Sequence, residues 1–223
     1  MTGHSNVRRQ GDGAGFDAII AMVAAEGGAA HRYRASLVGE RGGEASRNLA
    51  DAVHFLCLLH GRHPGVLDHA TWRATDDAVR ERLELLAGWF DRERALLTRL
   101  VVAVGPMPST PGQSQSESAV LAQHHALSML SKSDRPGCAL GAVIALVADW
   151  NAIRPLLDVA AERLSVPHGA ALAVESEAAP LAAACASGGA ERAMMFGAQQ
   201  LLSQHRGLWD LLEARASARA DLL

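Results

Sequence analysis

The sequence predicts an all-α protein, a bundle of about seven helices, and three observations support this prediction. The chain of 223 residues contains 43 Ala and 29 Leu, residue types with high helix propensity. Aromatic residues make up only 4% of the chain, so residues that favour strands are few. Apolar residues recur at helical spacing from end to end, and no segment sustains the alternation of a strand. The 49% hydrophobic content is ample for a buried core.

The N-terminal part is predicted to be a disordered polar arm followed by the first helix. Residues 1–15 contain two adjacent arginines, but the following stretch lacks the apolar segment and small-residue cleavage site of a secretion signal. The first helix is expected over residues 16–38. Gly27 and Gly28 interrupt it, and they either allow close approach of a neighbouring helix or mark a kink.

The second and third helices are predicted to precede the clearest connection in the chain. The second helix, over residues 44–62, is apolar nearly all round in its second half, which indicates a central position. Pro64 helps to end it. The third helix, over residues 71–104, is long, and its apolar residues keep a near-heptad rhythm suited to bundle packing. Residues 105–116 contain three prolines with Gly, Ser and Gln, and they predict a flexible linker.

The chain after the linker is predicted to form four helices, of which the last is long. The apolar helix in this half contains Pro155, so either it kinks there or one helix ends and another begins at the proline. We expect residues 16–223 to form a single helical-bundle domain, while a division into two domains at the linker stays open. The four helices are expected over residues 117–131, 138–164, 177–186 and 190–220.

Charge, cysteine content and hydropathy narrow the compartment and the partners. The formal net charge is −3, and no block of one sign is long enough to bind a nucleic acid. Cys57, Cys138 and Cys185 lie far apart without a Cys-x-x-Cys motif, which predicts a reducing, cytoplasmic setting. The longest apolar run, 138–148, is shorter than the roughly 20 residues that span a bilayer. We therefore expect no nucleic acid and no membrane as partner, and a second copy or another protein remains an open alternative.

The densest set of candidate metal ligands follows the end of the second helix. His60 and His63 lie 60° apart on a helical wheel and share its apolar stripe, so both are expected to point inward. Neutral imidazoles bind iron or zinc, and Asp68, His69 or another helix would supply a third ligand. The alternative is that histidines in the last turn of a helix interact with its terminal carbonyl groups and need no metal.

Four further polar residues receive interpretations from their positions. Asp51 and His54 have the carboxylate-x-x-His spacing of di-iron bundles, but this spacing occurs once, so an ordinary helical pair is the alternative. His205 lies on the apolar stripe of the last helix, where a core histidine bonded to a backbone carbonyl is the simpler interpretation. The metal hypothesis requires that His205 converges with His60 and His63. Asp149 is expected to cap a helix or to be exposed.

Two segments resemble a known family. They are NLADAVHFLCLLHGRHPGVLDHA, over residues 48–70, and LAQHHALSMLSKSDRPGCALGAVIALVADW, over residues 121–150. Both are similar to an uncharacterised, alphaproteobacterial family of all-helical proteins. The resemblance implies a helical bundle in a bacterial cytosol and supplies no catalytic residue.

Two functions from different classes remain at this point, and whether the protein is an enzyme stays open. The first is a binding or interaction module, because the chain contains no Walker loop, dinucleotide-binding motif or nucleophile elbow. The second is a metal-dependent protein, such as an oxidoreductase containing iron or zinc. Its ligands would come from His60, His63, His69 and His205, with Asp51 and His54 as a second choice.

Overall fold

The computed structural model describes residues 14–171, 175–185 and 187–221. Within these residues the protein is all-helical, with nine α-helices and no strand. The all-α prediction is confirmed, and the number of helices exceeds the predicted seven. The helices are α1 (Ala14–Glu26), α2 (Arg32–Gly39), α3 (Gly43–His60), α4 (Val66–Arg73), α5 (Asp77–Val104), α6 (Gln113–Ser131), α7 (Cys138–Leu164), α8 (Glu175–Ala183) and α9 (Gly188–Ala220).

The first predicted helix is two helices, α1 and α2, joined by a short 3₁₀ turn at Gly28–Ala30. The break positions the backbone against the core, because the Gly28 N–H donates to the Asp149 carboxylate at 2.6 Å. A Cβ on Gly27 would overlap that carboxylate, so the turn depends on glycine. Residues 1–13 of the predicted arm lie outside the described residues, and its last two residues already belong to α1.

The third predicted helix corresponds to α5, which begins at Asp77, and residues 66–73 form a separate helix, α4, of which only the last three residues were predicted to be helical. The two helices are divided at Asp76, whose carboxylate accepts a hydrogen bond from the Val79 N–H at 2.9 Å and caps α5. The apolar stripe that predicted this helix begins at Val79, so the pattern did not show where between residues 71 and 77 the helix starts. Both helices still place their apolar faces in the common core.

The other boundaries lie close to the predicted ones. The helix α3 ends at His60, so His63 is in the loop that follows it. The helix α6 begins at Gln113, which shortens the connection from α5 to residues 105–112. Thr110 in that connection is buried and accepts hydrogen bonds from Arg215 and Arg219 of α9. The helix α7 continues past Pro155 as one helix.

The helix α7 lies at the centre of the molecule and packs closely against α9. A Cβ on Gly141 would overlap the Met194 carbonyl oxygen, and a Cβ on Gly197 would overlap the Cys138 carbonyl oxygen. The two backbones therefore approach directly at these glycines. By length and composition α7 could cross a membrane, but 78% of its most apolar window is buried inside the protein, as in the core helix of a globular fold.

One hydrophobic cluster contains buried residues from all nine helices. The chain segments on either side of residues 105–112 share this core, because α3 and α5 pack with α6, α7 and α9. Several charged side chains are buried with the apolar ones, among them Asp51, Glu93, Arg154 and Asp149. Since buried charges need partners, these residues mark the places to examine for a site.

Candidate functional site

Three buried side chains from three helices form a hydrogen-bonded chain in the core. The Nε2 atoms of His60 in α3 and His205 in α9 lie 2.8 Å apart. The Nδ1 atom of His205 lies 2.6 Å from the Asp149 carboxylate of α7, which also accepts the Gly28 N–H. Because a carboxylate accepts, the His205 Nδ1–H donates to Asp149, and one of the two Nε2 atoms donates to the other. We call this the Asp149–His205–His60 chain.

The environment of His60 keeps its imidazole neutral at neutral pH. Burial disfavours the imidazolium and, together with the charges of His205, Arg94 and His124, lowers the pKa of His60 well below 6.5. The ring packs edge-on against Phe90 and Trp150, with centroid distances of 6.1 and 5.6 Å. The cavity beside His60 has a volume of about 10 Å³, enough for at most one water molecule. The Asp149–His205–His60 chain is therefore closed to any larger ligand.

The structure brings two of the four predicted histidine ligands together and leaves the other two apart from them. The prediction that His60 and His63 both point inward is correct for His60 and wrong for His63, because α3 ends at His60. His63 is exposed beside Asp68, with Nδ1 3.4 Å from the carboxylate. His69 is buried edge-on to Trp72, and its pKa is lowered by burial and by the charge of Lys132.

The distance between His60 and His205 is that of a hydrogen bond. Two nitrogens bound to one tetrahedral zinc would lie about 3.3 Å apart, with each bond about 2.0–2.1 Å long. The Nε2 atoms instead contact each other directly at 2.8 Å, and the other nitrogen of His205 is bonded to Asp149. The expectation that His205 bonds a backbone carbonyl is also wrong, since its partners are side chains. The metal interpretation of the interior histidines is thus not favoured.

The second-choice residues Asp51 and His54 do not form a pair with each other. Asp51 is fully buried and accepts two hydrogen bonds from Arg215, at 3.0 and 3.1 Å, and a third from Arg219. The Nε2 atom of His54 bonds the Gly105 carbonyl oxygen at 2.9 Å. The two residues therefore contact different parts of the chain: Asp51 contacts α9, and His54 contacts the residue that follows α5.

Two groups among the described residues place three possible ligand atoms within 4.8 Å of one another. In one of them Arg94 donates hydrogen bonds to the carboxylates of Asp68 and Asp91, at 2.7 and 2.8 Å. Its guanidinium group therefore occupies the place that a metal ion would take. In the other group, the Nε2 atom of His31 lies 3.1 Å from the Asp210 carboxylate, at hydrogen-bond distance. The groups are His63 with Asp68 and Asp91, and His31 with Asp210 and Glu213.

A second polar network connects the core to the surface. The Trp150 indole, which packs against His60, donates to Glu93 at 3.0 Å, and Arg154 donates to the other oxygen of Glu93 at 2.6 Å. Arg154 also donates to Asp158 at 2.8 Å and to the Gly169 carbonyl oxygen, which fixes the segment after α7. Glu93 and Arg154 are both buried, and both line a surface cleft.

This cleft lies between α5, α7 and residues 168–170 and has a volume of about 460 Å³. Among the described residues, its lining contains Arg92, Arg99, Arg154 and His168 but a single acidic residue, Glu93. Positive charge stays in excess when Asp158, which accepts a hydrogen bond from Arg154 and lies 3.7 Å from His168, is counted as well, because three arginines then face two carboxylates. Within the described part of the chain, Arg92 and Arg99 have no acidic partner at ion-pair distance. We call this feature the cationic cleft.

Sequence reasoning did not identify the residues of the cationic cleft. Arg92 and Arg99 are seven residues apart and therefore lie on one face of a helix, but a charged face is normally solvated and gave no distinct signal. Asp149 did have a signal, because it is the single acid within an apolar stretch of α7. Its predicted capping or exposed position is wrong, since the carboxylate is fully buried.

The fold and these two features define an all-helical protein with a closed histidine–aspartate chain inside and a cationic cleft at its surface. A family of unknown function, DUF6975, matches residues 23–220, and the chain belongs to this family. The predicted membership in an uncharacterised all-helical family is thereby confirmed, while the alphaproteobacterial setting stays a prediction. Neither the curated proteins nor the solved structures include a match to the chain.

Proposed function

We propose that the protein is a binding protein for a small anionic molecule, such as a carboxylate or phosphate compound, which it takes in the cationic cleft. The observation that carries the proposal is the charge of the cleft. Among the residues that the structure describes, Arg92 and Arg99 have no acidic partner, and the one acidic residue of the lining, Glu93, is already bonded to Arg154. Guanidinium groups bind carboxylate and phosphate oxygens with paired hydrogen bonds.

The size of the cleft supports the same function. Pockets of about 300–1,000 Å³ are typical of small-molecule sites, and the cationic cleft has about 460 Å³. The buried Glu93–Arg154 pair forms a rigid floor, because each side chain is fixed by at least two hydrogen bonds. A preformed floor reduces the entropy lost when a ligand binds.

A second cleft of similar size makes a useful contrast. It has a volume of about 370 Å³ and lies near the turn between α6 and α7. Its two arginines, Arg73 and Arg135, are balanced by Asp76 and Asp134, and Arg73 forms an ion pair with Asp134. This balance of charge offers an anion no advantage, so the proposal concerns the cationic cleft.

Isothermal titration of the purified protein with adipate, hexanoate and inorganic phosphate tests the proposal. We expect at least one of these anions to bind, with an affinity that falls as sodium chloride is added. The double variant R92Q/R99Q should lower that affinity at least about tenfold, since each charge-assisted hydrogen bond to a guanidinium contributes on this scale.

The double variant R32Q/R206Q is the matched control. It removes the same two positive charges from exposed positions on α2 and α9, neither of which lines the cleft. It should leave the affinity within about twofold of the wild type, because distant exposed charges are screened. The proposal is wrong if no anion binds, or if both double variants lose affinity equally.

A further inference from the structure

The arginines of the cationic cleft differ in how far their hydrogen bonds are already used. Arg154 donates to Glu93, Asp158 and Gly169 through its Nη1, Nε and Nη2 atoms, so each of its guanidinium nitrogens has a partner within the protein. Arg92 and Arg99 are exposed and form no ion pair with another described residue. A ligand would therefore contact Arg92 and Arg99, while Arg154 holds the wall in place.

The two available arginines lie at separate ends of the cleft. They are seven residues apart on α5, which places them on the same face and about 10 Å apart along the helix axis. Between them on α5 the lining includes Ala95 and Leu96, and Ala170 lines the cleft from the segment after α7, while the paired charges of Glu93 and Arg154 form the floor. The cleft thus presents unpaired positive charge at two ends, with an apolar strip of α5 between them above a floor whose charges are paired.

We propose that the ligand of the cationic cleft carries two anionic groups joined by a short apolar chain, as in an α,ω-dicarboxylate. This inference rests on the function proposed above and adds the chemical class of the ligand. One anionic group pairs with Arg92, the other pairs with Arg99, and the apolar chain covers Ala95 and Leu96. A ligand with a single charge satisfies one arginine and leaves the other solvated.

Adipate and hexanoate form a matched pair of probes, because both have six carbons and they differ in the second carboxylate. Isothermal titration of the wild-type protein at constant ionic strength should give adipate an affinity at least about tenfold above that of hexanoate. The single variants R92Q and R99Q should each lower the affinity for adipate to about the level of hexanoate. The control R32Q/R206Q should preserve the difference between the two ligands.

The outcomes separate this inference from the proposed function. If the two ligands bind equally well to the wild type and both lose affinity in R92Q/R99Q, the cleft binds anions and the two-ended ligand is wrong. If one single variant abolishes the binding of adipate and the other has no effect, the two-ended ligand is also wrong. If no anion binds at all, the proposed function fails. Circular dichroism and melting of each variant verify that it is folded, which is expected because both arginines are exposed.

Discussion

Two fully buried aspartates show opposite ways of stabilising a carboxylate in the same core. Asp51 is bonded by two arginines of α9, Arg215 and Arg219, whose charge is permanent. Asp149 is bonded by the imidazole of His205, which also belongs to α9, and by the backbone N–H of Gly28. A guanidinium keeps its charge, whereas the chain that begins at Asp149 ends at His60, whose pKa is lowered by burial. The first site is therefore a fixed ion pair, and the second is a chain whose stability depends on pH.

The largest expected effect of a mutation is at the fixed ion pair. Asp51→Ala leaves the guanidinium groups of Arg215 and Arg219 buried without their carboxylate. Breaking a buried pair in this way costs about 3–5 kcal/mol, because the remaining charge cannot be neutralised. Urea denaturation at pH 7.5 measures this loss in the free energy of unfolding.

The control for this variant is Asp134→Ala. Asp134 pairs with Arg73 at the surface and is 94% exposed, so its loss should change the stability far less. Equal losses in the two variants would mean that Asp51 does not compensate buried charge.

A smaller effect is expected at the Asp149–His205–His60 chain. Asp149→Ala leaves the Nδ1 atom of His205 and the Gly28 N–H without a partner. Buried unpaired donors of this kind cost about 1–3 kcal/mol, less than a stranded guanidinium. The same denaturation experiment should place the stability of this variant between wild type and Asp51→Ala. A loss as large as that of Asp51→Ala would contradict the distinction between the two aspartates.

The smallest effect is a pH dependence that belongs to the histidine site. The pKa of His60 is lowered in the folded protein, so below pH 6.5 the unfolded state binds a proton that the folded state does not. The contribution of His60 to the stability should therefore be constant above this pH and fall below it, by at most about 1.4 kcal/mol per pH unit. The pKa of His69 is also lowered and adds a decline in the same direction.

The variant His60→Gln isolates the contribution of His60. Its stability should fall less steeply between pH 6.5 and pH 5 than that of the wild type, with the remaining slope due to groups such as His69. Denaturation at a series of pH values measures the two slopes. Identical slopes would show that His60 is not the titrating group.

Much of the local structure could be predicted from the sequence. The positions of α3, α6, α7 and α9 follow from apolar periodicity and from glycine and proline signals. The helix α4 was missed because its eight residues are too few to show a clear apolar period, and the cap of α5 at Asp76 was not recognised. Gly27 and Gly28 were predicted to mark a kink or a close approach of a neighbouring helix. Both features are present, since the helix ends there and the turn contacts Asp149 of α7 closely.

The candidate sites were predictable only in part. His60 and His205 were selected because each lies on an apolar helical stripe, and they do meet in the core. Their actual partner, Asp149, was assigned to a cap or the surface, and the cationic cleft was not predicted. Glu93 and Arg154 are 61 residues apart in the chain, so no local pattern relates them.

The sequence by itself determined the all-α class, the approximate helix positions and the apolar faces, because these depend on local propensity and on periodicity within one helix. The tertiary structure decided which polar side chains meet. His60 and His205 are separated by 145 residues, and Arg219 lies 168 residues from Asp51. Such contacts depend on how α3, α7 and α9 pack in space, where the close approach at Gly141 and Gly197 sets the position of α9 against α7. The packing of α7 against α5 likewise allows Arg154 to reach Glu93 and so to form the floor of the cationic cleft.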